Sequence, residues 1–275
     1  MKCAWKELLA VLPPWCRSEV DMLGRDTLQE LRMRIGLPPE LIRANGPVRL
    51  KRPVSQEDLS CIVNTASRYS PWSAATTAQG YLTAPGGHRI GLCGQAVMQG
   101  GEMTGMRQIT SLCIRVARDF PGIAQKLQGA KGSLLIIGSP GSGKTTLLRD
   151  LIRQRGDQGS VGVVDERGEL FPLEFDTGQR TDILTGCTKA QGIEMLLRTM
   201  GPAVIAVDEI TSERDCEAII KAGGCGVSLI ATAHAACNQD LHTRPVYKPL
   251  IRSRIFDTLI ILQSDKSWKA ERMEL

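Results

Sequence analysis

The stretch from Gly138 to Thr145 constrains the fold of this chain most, because Gly-Ser-Pro-Gly-Ser-Gly-Lys-Thr fits the pattern G-x-x-x-x-G-K-[ST]. The apolar run 133–137 precedes it, and the helix-like segment 146–153 follows it. A strand, a glycine loop and a helix in this order surround an anion with backbone N–H groups and the positive end of the helix dipole. The pattern therefore predicts a phosphate-binding loop.

ATP is the expected ligand of this loop, with Mg²⁺ as its cofactor. Lys144 is expected to reach the β- and γ-phosphates, and the Thr145 hydroxyl is expected to ligate Mg²⁺. A glycine-rich turn without a ligand is the alternative. The predicted nucleotide-binding residues are Gly138, Ser139, Pro140, Gly141, Ser142, Gly143, Lys144, Thr145 and Thr146.

Two acids follow a later apolar strand, Val204-Ile-Ala-Val207, at Asp208 and Glu209. Ligands of open parallel sheets bind beyond the carboxyl ends of the strands, so we expect these acids and the phosphate loop to share one crevice. Asp208 is the predicted Mg²⁺ ligand. Glu209 is the predicted residue that orients and polarises the attacking water.

A similar pattern occurs one strand earlier, where Asp165 and Glu166 follow the run 161–164. Glu166 is a second candidate for steering water or the metal, and a simple strand-end turn is the alternative. His234 ends the strand that follows Asp208. It is expected at the same edge of the sheet as the γ-phosphate, although a purely structural histidine explains it equally well.

The chain reads as two domains separated by a segment rich in Pro and Gly. Residues 1–118 combine helical stripes with alternating strands, which predicts a smaller α+β domain; 119–132 is the expected linker. Residues 133–275 alternate apolar strands with helices, which predicts a mainly parallel α/β sheet covered on both faces. The family resemblance described below implies that this sheet is RecA-like. The expected strands of this sheet cover 133–137, 161–164, 203–207, 228–232 and 257–262.

Charge and cysteine usage suggest partners and a compartment. Residues 1–118 hold 15 Lys and Arg against 9 Asp and Glu, whereas residues 119–275 hold 19 against 20. Nucleic acid, an acidic partner or a bound polyphosphate would each explain the basic first part, as would a solvated basic face. The nine cysteines include no C-x-x-C pair, and no apolar run spans a bilayer. A cytoplasmic chain with reduced thiols is expected.

These motifs resemble those of the secretion ATPase superfamily of type II and type IV systems. Asp165-Glu166 falls on its acidic box, Glu209 on its catalytic glutamate and 226–234 on its histidine box. Three positions depart from the pattern of pilus motors, which carry Gly, Arg and His where this chain has Asp208, Thr211 and Val227.

The chain is similar over nearly its full length to the stage III sporulation protein AA family. The resemblance rests on 30–34, 38–41, 87–94, 114–118 and 164–167. It implies a cytoplasmic ATPase of endospore formers, held at a membrane by the membrane proteins of a channel that it energises. The resemblance also implies a homo-oligomer, which is expected to be a hexamer.

Arginines of the amino-terminal domain approach the γ-phosphate of a neighbouring subunit in the secretion ATPases. By this resemblance Arg115 is the first candidate here, because the alternation of Leu112, Ile114 and Val116 leaves it projecting from its strand. Arg107 and Arg89 follow.

The function predicted is a mechanochemical ATPase. Its main alternative is a nucleic-acid-dependent ATPase or single-strand binder, which the 4% aromatic content disfavours. A small-molecule kinase comes third, because neither an acceptor pocket nor an arginine-rich lid is evident.

Overall fold

A computed structural model of the chain describes residues 2–67, 80–171 and 175–273. The chain divides into two compact units, of which the first ends at Asp119 and the second begins at Phe120.

The first unit contains an antiparallel sheet whose strands are ordered β3-β2-β1-β6-β5-β4. Hydrophobic alternation along β1 buries Leu31 and Met33 while Arg34 stays exposed. The strands are β1 (Leu28–Arg34), β2 (Glu40–Arg43), β3 (Val48–Arg49), β4 (Tyr81–Thr83), β5 (Arg89–Gln99) and β6 (Glu102–Arg115).

In the described part of this unit, three helices accompany the sheet: α1 (Trp5–Val11), α2 (Pro14–Gly24) and α3 (Gln56–Ser67). A capping box starts α3, because Ser55 Oγ accepts from the Asp58 N–H at 3.2 Å and the Asp58 carboxylate accepts from the Ser55 N–H at 2.9 Å. The buried Leu59 and Ile62 of α3 join one core with α1, α2 and the sheet. The predicted α+β class of this unit is confirmed.

His88 directly precedes β5 and follows the glycine turn Pro85–Gly87. Solvent exposure is the default for a histidine in such a turn, yet His88 is 0% exposed. Gly86 and Gly87 both adopt positive φ, and the ring then contacts the Ala4 carbonyl through Nε2 at 2.8 Å and accepts the Ala117 N–H at Nδ1. Nothing local in the sequence indicates these two distant partners.

The second unit is built on a sheet ordered β13-β12-β7-β11-β10-β8-β9. Its strands are parallel except β13, which pairs antiparallel with β12. The strands are β7 (Leu134–Ile137), β8 (Val161–Asp165), β9 (Thr181–Thr185), β10 (Val204–Ile210), β11 (Ser228–Ala233), β12 (Thr258–Leu262) and β13 (Trp268–Arg272). All five predicted strands are present, and the RecA-like class is confirmed.

Helices of the second unit are α4 (Lys144–Gln158), α5 (Lys189–Thr199), α6 (Glu213–Gly224), α7 (Asn238–Thr243) and α8 (Lys248–Ser253). Buried apolar side chains from both faces of the central strands form two cores, as a parallel sheet covered on both sides requires. The segment 119–132 contains a short 3₁₀ turn, Gln125–Leu127, and Ala124 and Leu127 are buried in one of these cores. Among the described residues no helix combines the length and apolar character needed to cross a membrane.

Candidate active site

The phosphate-loop sequence forms the turn between β7 and α4. Gly141 and Gly143 adopt φ values of 75° and 102°, which residues with a side chain rarely reach. A Cβ on Gly138 would lie 2.5 Å from Ser142 Oγ and 3.1 Å from Leu262, so the loop packs closely against the end of β12. Helix α4 begins at Lys144 without a side-chain cap, and its first N–H groups therefore point into the loop.

Lys144 lies beneath the loop, where three acceptors surround its ammonium. Nζ lies 2.9 Å from the Gly138 carbonyl, 3.1 Å from the Ser139 carbonyl and 3.1 Å from His234 Nδ1. Burial lowers the pKa of Lys144, while the charges of Glu209 and Asp208 act in the opposite direction. The folded chain thus holds a cation at the loop with all three of its protons directed at protein atoms.

Asp208 lies in the carboxyl-terminal half of β10, within reach of two hydroxyl groups. Thr145 Oγ1 donates to Asp208 Oδ2 at 3.1 Å, and Thr232 Oγ1 donates to Asp208 Oδ1 at 2.7 Å. Thr232 is fully buried. The structure therefore brings together the two residues predicted to hold the metal.

This pair suits Mg²⁺. Within the described part of the chain no group of three or more His, Cys, Asp or Glu side chains forms a metal cage. Mg²⁺ is usually held by one or two carboxylate or hydroxyl oxygens and completed by phosphates and water, rather than by an all-protein cage. The oxygens of Thr145 and Asp208 match that donor set.

Glu209 follows Asp208 with φ at 37°, in the left-handed region that non-glycine residues rarely adopt. The pairing of β10 with β11 shifts register between Val207 and Ile210, so Asp208 and Glu209 lie in a bulge near the end of the strand. The Glu209 N–H donates to Thr232 Oγ1 at 2.8 Å and to Asp208 Oδ1 at 3.0 Å, and these bonds hold the unusual backbone. Bulges commonly redirect side chains at functional sites.

His234 connects the loop lysine to this glutamate. Its Nε2 lies 2.9 Å from Glu209 Oε1, and its Nδ1 faces Lys144. An ammonium group can only donate, so Nδ1 accepts and the ring proton is assigned to Nε2, from which it is donated to Glu209. The backbone N–H of His234 donates to the Tyr247 hydroxyl at 3.1 Å.

Asp165 and Glu166 have separate roles at the end of β8. The buried Asp165 carboxylate accepts the N–H groups of Glu169 and Leu170. These two bonds form a strand-end turn, the alternative given above to a role in steering water or the metal. The pKa of Asp165 is raised to about 6, mainly by burial and in smaller part by the charge of Asp208, against the lowering effect of the Leu170 N–H. Glu166 instead pairs with Lys189 Nζ at 2.6 Å.

A cavity of about 120 Å³ joins the two acidic strand ends. Its lining includes Asp165, Glu166, Lys189, Asp208 and Glu209. The two candidate bases, Glu166 and Glu209, thus face one space, although each has a different partner.

The three arginines proposed to act between subunits lie in the first unit. The Arg115 side chain is 68% exposed, with Nε 3.7 Å from Glu30 Oε1. Arg107 is also exposed, and the Arg89 guanidinium stacks on the Tyr81 ring at 4.0 Å. Arg115 projects from its strand as the alternation predicts.

The sequence analysis missed three residues of this network: Thr232, Lys189 and Tyr247. Thr232 is the one residue of the three that carried a signal, because a hydroxyl interrupts an apolar strand two residues before His234. Lys189 and Tyr247 lie at helix starts far along the chain from their partners, so spacing offers nothing to find them.

Solved structures with the same fold place the chain in the RecA-like fold class. The ATPase DotB of Yersinia pseudotuberculosis matches 94% of this chain and 79% of its own, with a TM-score of 0.64 and 14% identity. The pilus retraction motor PilT, solved with bound ADP, matches 89% of this chain and 76% of its own, with a TM-score of 0.60 and 16% identity. At such identities the likeness establishes the fold.

A family model described as sporulation stage III, protein AA matches residues 16–271. The chain therefore belongs to the sporulation stage III protein AA family. The stage III sporulation protein AA of Bacillus subtilis (strain 168) is 38% identical over 94% of this chain and 91% of that protein. The resemblance given by the sequence motifs is confirmed.

Proposed function

We propose that this chain is a Mg²⁺-dependent ATPase that works as a homo-oligomeric ring of six subunits and energises a membrane channel during endospore formation. The observation that carries the proposal is one hydrogen-bonded network of Lys144, Thr145, Asp208, His234 and Glu209 at the carboxyl edge of a RecA-like sheet. The family supports the sporulation context. The ATPase DotB and the ADP-bound motor PilT share the fold and support the reaction class.

Each residue of the network has one task in this proposal. Residues 138–146 bind the phosphates through backbone N–H groups and the Lys144 ammonium. Thr145 and Asp208 would hold Mg²⁺, which would supply positive charge to neutralise the phosphates. Glu209 accepts a hydrogen bond from the attacking water and polarises it. His234 fixes the Glu209 carboxylate through its Nε2 proton.

Glu166 is the reserve candidate for the base. Its carboxylate is engaged by Lys189 at 2.6 Å, a charge-assisted bond that occupies one of its oxygens. Glu209 has instead the weaker donor His234 at 2.9 Å. This difference favours Glu209.

Glutamine at position 209 tests the assignment. Glu209→Gln is expected to bind MgATP as the unchanged chain does, while phosphate release falls by roughly 10²–10⁴-fold. Glu213→Gln is the matched control, because Glu213 is an exposed acid at the start of α6. Unchanged turnover in Glu209→Gln would move the assignment to Glu166.

Lys144→Ala should weaken nucleotide binding at least tenfold.

A shared site between subunits is the basis for the ring. Arg115 is proposed to approach the γ-phosphate held by the neighbouring subunit, with Arg107 and Arg89 as further candidates. Mixing Arg115→Ala with Lys144→Ala subunits is expected to restore part of the ATPase activity, because one interface then combines an intact loop with an intact arginine. Mixed oligomers of full mass that stay inactive would argue against a shared site.

Cytoplasmic segments of membrane proteins are the proposed partners, and they would hold the protein at the membrane. The competing function, a nucleic-acid-dependent ATPase, predicts stimulation by single strands that weakens steeply with salt. Crosslinking in sporulating cells separates the two. Capture of DNA or RNA in place of an integral membrane protein would favour the competing function.

A further inference from the structure

A basic groove lies in the second unit, at the edge of the sheet opposite the phosphate loop. It is formed by Lys131, Arg252, Arg254 and Arg272, which line two adjoining cavities of about 520 and 700 Å³. Lys131 lies shortly before β7, and Arg272 ends the antiparallel β13. The whole length of β7 therefore separates the groove from the loop that follows that strand.

The groove carries a net positive charge that composition conceals. Residues 119–275 are nearly neutral, but the acids of the candidate active site collect at the carboxyl edge of the sheet. Of the two acids at the groove, Glu271 pairs with Lys269 at 2.7 Å and Asp257 accepts the Ser133 N–H at 2.7 Å.

The three arginines of the groove are exposed, and in the described ranges none of them has an ion-pair partner. Arg252, in the last turn of α8, and Arg254, directly after that helix, lie at one end of the groove, while β13 brings Arg272. Unpaired arginines on separate elements that converge on one cavity are suited to a carboxylate-rich ligand.

Apolar surface lies between these charges. Ile251 and Met273 are half-buried and line the larger cavity. Of the two rings in that lining, Phe256 is only 2% exposed, which leaves the single imidazole of the exposed His242 as a face for stacking a base. A surface with apolar and basic positions but no aromatic platform fits a polypeptide better than a nucleic acid.

Backbone groups favour an extended ligand. Among the described strands β13 is at the edge of the sheet, next to the groove, so its outer N–H and C=O groups are available for strand addition. We infer that the basic groove binds an extended, acidic segment of a partner polypeptide, independently of the nucleotide site.

A fluorescein-labelled peptide of about twelve residues, alternating glutamate and leucine, is the probe for this inference. Arg252→Glu combined with Arg272→Glu reverses two charges of the groove and is expected to weaken peptide binding about tenfold or more, because two favourable pairs become repulsive. Arg214→Glu with Lys221→Glu is the matched control. It makes the same change of charge on two exposed residues of α6 and should alter affinity less than twofold.

Binding of a fluorescent ADP analogue should stay equal in all three proteins, which verifies that each variant is folded. Equal loss of peptide affinity in both double variants would overturn the inference, since general electrostatics would explain it. Absence of peptide binding to the unchanged protein would overturn it too. A labelled single-stranded DNA could instead bind more tightly than the peptide. If the variant with Arg252→Glu and Arg272→Glu lost that binding, the groove would be assigned to nucleic acid. A dimer dissolved by the same substitutions, without peptide binding, would assign it to a second copy.

Discussion

Replacing Thr232 by valine removes one buried hydroxyl from the centre of the candidate active site. That hydroxyl donates to Asp208 Oδ1 at 2.7 Å and accepts the Glu209 N–H at 2.8 Å. Valine keeps nearly the same shape, so the substitution tests the hydrogen bonds rather than the packing of β11.

The two lost bonds differ in cost. The Glu209 N–H keeps Asp208 Oδ1 as an acceptor at 3.0 Å and is not left unsatisfied. Asp208 keeps the Thr145 hydroxyl but loses its shortest donor. A hydrogen bond to a charged group contributes about 1.5–3 kcal/mol. We expect the lower end here, about 1.5 kcal/mol, which is roughly tenfold in an equilibrium constant.

That loss should appear as weaker Mg²⁺-dependent nucleotide binding, because Asp208 is no longer held in the orientation that suits the metal. Titration calorimetry with ADP should give about tenfold lower affinity for Thr232→Val in Mg²⁺ and unchanged affinity in EDTA. Thr232→Ser retains the hydroxyl and should restore most of the difference.

Equal MgADP affinity in Thr232→Val and the unchanged protein would refute the reasoning, since the hydroxyl would then not orient Asp208. A loss of the same size in EDTA would also refute it. In that case the substitution would have disturbed the loop itself.

Three further results are expected. In a double-mutant cycle of Lys189→Met and Glu166→Gln, urea unfolding should give a coupling free energy of about 1 kcal/mol, because only the lysine of this 2.6 Å pair is buried. Additive effects of the two substitutions would contradict this. The raised pKa of Asp165, about 6, favours the protonated folded state, so stability should rise relative to Asp165→Asn by about 1 kcal/mol from pH 7 to pH 5; a difference independent of pH would contradict it. Gly138→Ala should lower the unfolding free energy by about 1–3 kcal/mol because its Cβ meets Ser142 Oγ, and adding Ser142→Ala should restore part of the loss; no recovery would assign the strain to Leu262.

Sequence reasoning found the central strands of the second unit because strands buried on both faces read as apolar runs. The edge strands of this sheet were not predicted. Thr181–Thr185 and Trp268–Arg272 are polar and half exposed, so neither produces an apolar run. The signal used for β7, β10 and β11 is therefore absent at the edges of the same sheet.

The candidate active site was predictable as far as strand ends specify it. Asp208 and Glu209 could be placed because parallel strands direct their carboxyl ends to one edge. The positive φ of Glu209 and the Lys189–Glu166 pair could not, because both depend on contacts between elements more than 20 residues apart. The nearly neutral charge balance of residues 119–275 also gave no sign of the basic groove, because it averages that groove with the acidic edge of the sheet.

The contacts of Lys144 place a constraint on how nucleotide enters the loop. An ammonium has three protons, and here they face two loop carbonyls and His234 Nδ1. A phosphate oxygen that binds Lys144 must displace one of them, and His234 is the one acceptor of the three outside the loop. Displacement leaves Nδ1 without its donor while Nε2 still faces Glu209 at 2.9 Å. Because the Glu209 backbone already lies in the left-handed region, a shift of His234 acts on the most strained residue of the site. We therefore expect phosphate binding at the loop to change the position of the candidate base through the His234 ring.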